Sequence, residues 1–401
     1  MRQIPCYLLC ALALAACTTG GPPAPQEAPR PAQCPPCPGA QVQPPTAAPP
    51  LRRVSWDDLP GWGEDDPAPA LEAFIASCRA LARKPDWTAA CTEAELHRGG
   101  PRTELAQFFM TRFEPFQVVN PDASTEGLIT GYYEPLLRAD RKAGGAYRYP
   151  IYGVPDDLIV VDLAEVHPEL KSMRLRGRLQ GRRLVPYFTR AEIAAQPDKY
   201  AQSALFWAED AMDVVFLQVQ GSGRVELPDG SRVRVGYADQ NGMPYASIGR
   251  WLIDQGEMRA DAVSMQGIRE WARANPNRLP DLLKADPSFV FFRVLSGLRD
   301  DEGPPGALGV PLTAGRSVAV DARTIPLGAM VWLDAPGPGN EGRLRRLMAA
   351  QDTGGAIRGA VRADYYWGTG AAAGAQAGRM KSRGRLWVLL PVGRAQGQEG
   401  K

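Results

Sequence analysis

Three aspartates in the C-terminal part of the chain have the type and surroundings of acid–base groups. Asp321 and Asp352 each follow a short apolar run, and Asp364 is followed by three aromatic residues. Such a carboxyl group holds a proton near neutral pH only if burial removes water from it or a second carboxylate lies close by. A lone aspartate at a strand end is more often a turn cap. The prediction of an acid–base site therefore depends on the three aspartates meeting in the fold.

The residues around Asp352 also allow a different chemistry. Asp352, Thr353 and Gly354 form the triplet that marks aspartic proteases, which need two aspartates sharing one proton. The sequence contains one such triplet, so this interpretation requires two copies of the chain. The two histidines, His97 and His167, are far apart in sequence, which argues against a histidine metal site and against a Ser–His triad. The titratable chemistry that the sequence offers is therefore mainly that of carboxylates.

The elements that must position these groups follow from the periodicity of apolar residues. Helical spacing predicts helices over residues 71–83, 103–113, 190–200, 245–255 and 264–274. Short β-rich runs begin at residue 127, and residues 213–240 are predicted to form two strands around the turn 228–230. Residues 317–390 are again rich in strands and glycine. This order predicts a mainly β protein with helices, in which a second β-rich domain is inserted into the first.

A set of motifs occurs in one order along the chain. They are residues 131–135 (GYYEP), 216–224 (FLQVQGSGR), 237–249 (YADQNGMPYASIG), 286–292 (DPSFVFF) and the closing pair 351–359 (QDTGGAIRG) and 384–388 (GRLWV). In this order they resemble the membrane-bound lytic murein transglycosylase A family over about residues 56–391. The resemblance implies that the three-aspartate region, about residues 305–391, folds as a double-psi β-barrel with the aspartates on one face.

By this resemblance Asp364 corresponds to the catalytic acid and base, with Asp352 and Asp321 as supporting carboxylates. The family's reaction is non-hydrolytic, and the resemblance implies that it needs no metal and no cofactor. The acid protonates the oxygen between N-acetylmuramic acid and N-acetylglucosamine, and the muramic 6-hydroxyl then attacks C1 to form a 1,6-anhydro ring. The family often has a His-Phe pair before this aspartate, where this chain has Arg362 and Ala363 and one additional residue between the two aspartates. Asp352 therefore stays the alternative acid.

A glycan strand also needs a groove with polar groups for its N-acetyl and hydroxyl groups and aromatic faces for its sugars. For Gln218 and Gln220 the alternative is strand alternation, with both amides on one solvated face. Glu134 is equally well explained as the end of a strand. The expected substrate-binding residues are Tyr132, Glu134, Gln218, Gln220, Ser222, Tyr245, Gly354, Gly355 and Trp367. The competing function is a non-catalytic peptidoglycan-binding lipoprotein, against which the three retained aspartates argue.

The N-terminal segment predicts export and a lipid anchor. Arg2 precedes an apolar run over residues 4–16, which is too short to span a bilayer and typical of a signal peptide. Small residues before Cys17 resemble the bacterial lipobox, so residues 1–16 are predicted to be the signal peptide and Cys17 the lipidated residue. Thr18 then favours the outer membrane of a Gram-negative bacterium, with the protein facing the periplasm. Residues 17–51 are proline-rich and predict an extended tether.

Partners and domain limits follow from the same patterns. The net charge of +2, from 46 basic and 44 acidic residues, argues against nucleic-acid binding. The expected partners are peptidoglycan glycan strands and, through Cys17, outer-membrane lipid. Cys78 and Cys91 are the disulfide candidates of an exported chain. We expect a discontinuous catalytic domain over residues 52–135 and 237–394, an inserted β-rich domain over 136–236, and the glycan groove between them.

Overall fold

The computed structural model describes residues 49–393 except 171, 172 and 174. The predicted signal peptide, the lipidation site at Cys17 and most of the predicted tether lie outside these residues. Among the described residues, no helix is both long enough and apolar enough to cross a membrane.

The strands lie as follows in chain order: β1 (Leu51–Arg53), β2 (Phe113–Val118), β3 (Gly127–Glu134), β4 (Leu136–Asp140), β5 (Tyr149–Tyr152), β6 (Ile159–Val160), β7 (Arg176–Gln180), β8 (Arg183–Pro186), β9 (Ala204–Ala208), β10 (Ser222–Glu226), β11 (Arg232–Gln240), β12 (Val290–Leu295), β13 (Ser317–Val320), β14 (Met330–Pro336), β15 (Arg343–Asp352), β16 (Arg362–Thr369) and β17 (Lys381–Pro391). The α-helices are α1 (Ala68–Leu81), α2 (Pro85–Leu96), α3 (Arg102–Arg112), α4 (Arg190–Ala194), α5 (Pro197–Tyr200), α6 (Ala211–Gln220), α7 (Ile248–Asp254), α8 (Met265–Ala274), α9 (Leu279–Lys284) and α10 (Gly370–Arg379).

A closed barrel carries the C-terminal aspartates. In the described part of the chain, an eight-stranded sheet has the order β1-β2-β17-β14-β15-β13-β16-β3, and β17 also pairs with β3. This additional pairing closes the strands from β17 round to β3 into a ring. The pairs β13–β15 and β16–β3 are parallel and the other pairs of the ring are antiparallel. The mainly β fold with a double-psi barrel, expected from the sequence, is confirmed.

The barrel has a continuous apolar core. Trp332 of β14 and Trp387 of β17 are paired neighbours and are almost completely buried. Helices α1 to α3 cover one side of the barrel, where Phe74 and Phe108 join the same cluster. A disulfide between Cys78 and Cys91 links α1 to α2.

A second sheet follows β3 along the chain. Six strands in the described part of the chain have the order β12-β11-β10-β4-β9-β5, and β6, β7 and β8 form a smaller sheet beside it. Strand β11 crosses position 236, where the inserted domain was expected to end, and pairs with β12 over Arg234 to Gln240. The chain was expected to return to the first domain at residue 237, and this position is wrong. The pairing of β11 with β12 extends the second sheet as far as Leu295.

Residues 211–220 form helix α6, whereas the sequence predicted a strand. The Asp210 side chain accepts a hydrogen bond from the Met212 N–H at 2.7 Å, and Gly221, at φ 80°, ends the helix in the left-handed region. Val214 of α6 packs on the second sheet, whereas Phe216 packs in a cluster with α7, α8 and α9. Because the helix is covered on two sides, its apolar run is continuous and hides the helical period.

The other predicted helices are present with shifted ends. Ser264 and Ser247 act as N-caps of α8 and α7, one residue before each helix. The helix expected over residues 190–200 is divided into α4 and α5, because Pro197 can begin a helix but not continue one. Helices α2, α9 and α10 were not expected from the sequence.

Candidate active site

Strand pairing brings two of the three aspartates together. Ala319 of β13 is the neighbour of Asp352 at the end of β15 and of Asp364 in β16. Directly paired residues carry their side chains on the same face of a sheet. The two carboxyl groups therefore flank a small, buried residue on one face of the barrel. On the next strand, Thr130 pairs with Asp364 and Tyr132 pairs with Tyr366.

Asp364 has the environment of a group that exchanges a proton. The Thr130 hydroxyl donates a hydrogen bond of 2.6 Å to Oδ1 of Asp364. Burial is the main effect on its pKa and raises it to about 6; the Asp352 charge also raises it, whereas Thr130 and Arg362 lower it. A hydroxyl can donate to a carboxylate or accept from a protonated carboxyl. Thr130 is thus able to support both protonation states of Asp364.

Asp352 has a different set of partners. It accepts hydrogen bonds from the backbone N–H groups of Ala307 and Thr353, both at 2.9 Å, and from the Tyr132 hydroxyl at 3.1 Å. Burial raises the pKa of Asp352, and these three hydrogen bonds oppose the rise. Backbone N–H groups can only donate, so they favour the anionic form of the carboxyl. The hydrogen bonds to Asp352 therefore oppose its protonation, and the charge of Asp352 contributes to the raised pKa of Asp364.

Asp321 is not a member of this pair. Its side chain is only 2% exposed and accepts hydrogen bonds from Nε of Arg323 and the N–H of Gly359, both at 2.9 Å. These bonds, that from Arg323 foremost, lower the pKa of Asp321 to about 2. The carboxylate is permanently charged and ties the end of β13 to the segment that leads into β16.

Aromatic residues around Asp364 divide between the two faces of β16. Tyr366 lies on the Asp364 face and packs against Tyr132, with ring centroids 5.2 Å apart. Tyr365 and Trp367 lie on the opposite face and pack against each other at 4.6 Å. A Cβ atom on Gly131 would lie 2.6 Å from Nε1 of Trp367, which explains the glycine at this position. Trp367, expected to bind substrate, is therefore directed away from the face that carries the two aspartates.

The comparisons with known proteins agree with this geometry. A family model described as the MltA specific insert domain matches residues 128–293, and a model of the 3D domain matches residues 316–390. Membrane-bound lytic murein transglycosylase A of Escherichia coli (strain K12) is 36% identical over 303 residues, which are 73% of this chain and 73% of that protein. The chain belongs to the membrane-bound lytic murein transglycosylase A family.

Solved structures of this family are similar over most of the chain. MltA from Neisseria gonorrhoeae is 38% identical with a TM-score of 0.73, and the match covers 86% of this chain and 93% of that one. E. coli MltA, solved with bound chitohexaose, is 31% identical with a TM-score of 0.64, covering 86% and 96% of the two chains.

Glu134, in the first motif shared with the family, is a junction residue and not part of a groove surface. It is completely buried, and its Oε2 accepts hydrogen bonds from Nε of Arg224 and the hydroxyl of Thr369, both at 2.8 Å. Arg224 also donates to the backbone carbonyls of Asp300 and Glu302, at 2.9 and 3.1 Å. The ion pair joins the end of β3 to the second sheet and to the segment that returns to the barrel.

Gln218 and Gln220 use their amides inside the protein. Gln218 is buried, accepts a hydrogen bond from Arg190 and donates to the carbonyl of Val290 at 3.4 Å. Gln220 accepts a hydrogen bond from the backbone N–H of Tyr133 at 2.9 Å. Two residues separated by one position point in different directions on a helix, so the alternative of a strand with both amides on one solvated face is wrong.

The remaining candidates for substrate binding are at the surface or close to it. Gly354 and Gly355 follow Asp352 directly, and Gly355 is exposed with open space around the position of a Cβ. Tyr245 is 46% exposed in the loop before α7. Ser222 is partly exposed at the start of β10.

Thr130 was not among the residues expected from the sequence, although its hydroxyl is hydrogen-bonded directly to Asp364. A usable signal was present. In a strand, residues separated by one position share a face, so Tyr132 as a candidate also indicates Thr130 and Glu134. Thr130 is hydrogen-bonded to Asp364 and Tyr132 to Asp352, and Glu134 is itself the carboxylate that pairs with Arg224.

Proposed function

We propose that Asp364 is the general acid, and then the base, with which this lytic murein transglycosylase cleaves the β-1,4 bond between N-acetylmuramic acid and N-acetylglucosamine. The observation that carries the assignment is the difference between the paired aspartates. Asp364 has a pKa raised to about 6 and a single hydroxyl partner, whereas Asp352 accepts hydrogen bonds from two backbone N–H groups. The first environment suits a proton donor, and the second suits a permanent anion.

The proposed reaction needs one titrating carboxyl group. Protonated Asp364 gives its proton to the glycosidic oxygen as the bond from that oxygen to C1 of the muramic residue breaks. The muramic 6-hydroxyl then forms a bond to C1, and its proton passes to the Asp364 carboxylate. The products are a 1,6-anhydro-muramic end and a free 4-hydroxyl on N-acetylglucosamine. Asp364 is again protonated, and the reaction consumes no water.

Asp352 supports this chemistry through its charge. The transition state of glycosidic cleavage carries positive charge near C1. The half-buried carboxylate of Asp352 beside it would stabilise this charge, and the same carboxylate raises the pKa of Asp364 in the resting enzyme. Tyr132, which donates to Asp352 at 3.1 Å, is a positioning residue in this scheme.

The glycan strand is proposed to lie across the face of the barrel that carries the two aspartates, beside the second sheet. The bound chitohexaose in the related E. coli MltA supports an extended sugar chain as the ligand class. Gly355 has open space around its Cα next to Asp352 and is proposed, with Gly354 before it, to line the sugar site. Tyr245 and Ser222 are the proposed contacts on the side of the second sheet.

We also propose that Cys17 carries the lipid that places the enzyme on the periplasmic side of the outer membrane. The related E. coli protein is named a membrane-bound enzyme. The small residues before Cys17 and the proline-rich segment after it support an anchor followed by a spacer.

Three aspartate variants test the assignment. Asp364→Asn keeps the shape but loses the proton, so cleavage of purified sacculi should fall by at least about 10²- to 10⁴-fold while glycan binding remains. Asp352→Asn should reduce the rate less, and Asp321→Asn should act mainly on stability. If Asp352→Asn is inactive and Asp364→Asn keeps most of the activity, the two roles are exchanged.

A further inference from the structure

Three cations form a basic strip beside Asp364 on the surface of the barrel. We define the basic strip as Arg362 of β16 with Lys381 and Arg383 of β17. Arg362 and Arg383 both pair with Leu128 of β3, and Lys381 pairs with Thr130. Paired residues share a face, so the strip points to the same side as Thr130 and Asp364. With strands about 4.8 Å apart and a rise of about 3.3 Å per residue, the backbone positions of the strip lie within roughly 12 Å of Asp364.

The basic strip lacks the carboxylate partner that the neighbouring Arg385 has. Arg385, the next residue on this face of β17, forms an ion pair of 2.7 Å with the buried Asp334. Among the described residues, by contrast, no member of the strip forms an ion pair with a carboxylate. Arg362 donates to backbone carbonyls, including that of Leu128 at 3.4 Å, and Arg383 donates to the carbonyl of Glu126 at 3.3 Å.

Arg362 gives the strongest indication of a bound anion. It is partly buried, and it lies two residues before Asp364 in the sequence. Withdrawing a guanidinium from water is costly unless an anion compensates it. Within β16 the carboxyl group that acts on it is Asp364 itself. A cation in this position also opposes the raised pKa that the acid needs. Its presence is best explained by an anionic group of the substrate.

The chemistry of the substrate supplies such a group. The sugars of the glycan are uncharged once the muramic carboxyl is joined to a peptide, but the peptide stem carries free carboxylates. Arginine and lysine bind carboxylates through charge-assisted hydrogen bonds. The muramic residue at the cleaved bond carries its stem a few ångströms from C1, which is a distance that the basic strip can cover.

We propose that the basic strip binds carboxylates of the peptide stem on the muramic residue at the cleaved bond, so that this enzyme prefers stem-bearing glycan to naked glycan. The proposal rests on the proposed function, because it uses Asp364 to locate that bond.

The test compares two substrates with one enzyme. The full chain, purified in detergent, is given glycan oligosaccharides of defined length that either carry tetrapeptide stems or have had them removed. Wild type should show a kcat/KM about tenfold or more higher on the stem-bearing substrate, and added salt should reduce this preference. Lys381→Gln/Arg383→Gln should lower kcat/KM on the stem-bearing substrate by about tenfold and change it less than about twofold on naked glycan.

Matched variants separate this effect from others. Arg79→Gln/Arg83→Gln removes the same charge from the exposed end of α1 and should leave the preference unchanged. Adding Arg362→Gln should reduce the preference further, whereas a role only through the pKa of Asp364 would shift the pH profile equally for both substrates.

Equal losses on both substrates, or no loss on the stem-bearing one, would overturn the proposal. Failure of the proposed function is distinguishable, since Asp364→Asn would then still cleave both substrates.

Discussion

At the scale of single residues, the different roles proposed for Asp364 and Asp352 follow from the groups that donate hydrogen bonds to each. Both carboxyl groups are withdrawn from water, and burial raises the pKa of both. The backbone N–H groups of Ala307 and Thr353 cannot accept a proton, whereas the Thr130 hydroxyl can donate or accept. This difference in partners is why we propose Asp364 as the residue whose protonation changes during the reaction.

The pH dependence of catalysis should follow from the pKa of Asp364. Because the acid must be protonated and its pKa is about 6, kcat/KM should fall by about tenfold for each pH unit above 6. Thr130→Val removes a hydrogen bond that lowers this pKa, so the falling limb should move to higher pH. The measurement is a pH profile of cleavage with soluble glycan. A limb that stays in place in Thr130→Val would contradict the assigned partner.

The same pKa predicts a stability effect. A carboxyl group whose pKa is higher in the folded state than its ordinary 3.8 stabilises the fold when protonated, and this contribution is lost as the pH rises through about 6. Asp364→Asn should therefore raise the melting temperature at pH 8, with no comparable gain at pH 4. Calorimetry at the two pH values measures this. A larger increase in melting temperature at pH 4 than at pH 8 would contradict the raised pKa of Asp364.

At the scale of elements, β3 connects the chemistry to the architecture. Thr130, Tyr132 and Glu134 alternate along one face of this strand and contact Asp364, Asp352 and Arg224 respectively. The first two contacts lie in the active site, and the third holds the junction with the second sheet. One strand therefore sets the position of the acid, its neighbour and the inserted domain.

The Arg224–Glu134 ion pair should be important for stability. Arg224→Met leaves the Glu134 carboxylate buried without its cation and should lower the free energy of unfolding by about 3–5 kcal/mol. The double variant Arg224→Met/Glu134→Gln removes the stranded charge and should recover part of this loss. Urea unfolding of the single and double variants checks both expectations. A double variant no more stable than the single one would show that the charge is not the cause.

The sequence predicted the barrel aspartates better than it predicted the elements of the second sheet. The motifs around Asp352 and Asp364 identify the site because each motif is a short, continuous stretch of sequence. The helix α6 could not be recognised, since burial on both sides makes Val214 to Leu217 a continuous apolar run. The partners of Glu134 and Gln218 were also beyond prediction, because Arg224 and Arg190 meet them only through tertiary contacts.

At the scale of the whole molecule, the proposed anchor and tether only place the enzyme. Cys17→Ala should move the protein from the outer-membrane fraction to the soluble periplasm, because acyl chains supply the membrane affinity. Cell fractionation with immunodetection measures this, and Cys34→Ala/Cys37→Ala is the matched control that should stay in the membrane. Retention of Cys17→Ala in the outer membrane would contradict the lipid anchor.

The central claim is that Asp364 catalyses cleavage without water, and mass spectrometry of the released muropeptides tests it most directly. Sacculi digested by the wild type should release 1,6-anhydro-muropeptides, each lighter by one water than the product of hydrolysis. Asp364→Asn should release none above background while still binding sacculi. Products with reducing ends from the wild type, or anhydro products from Asp364→Asn at the wild-type rate, would contradict the account.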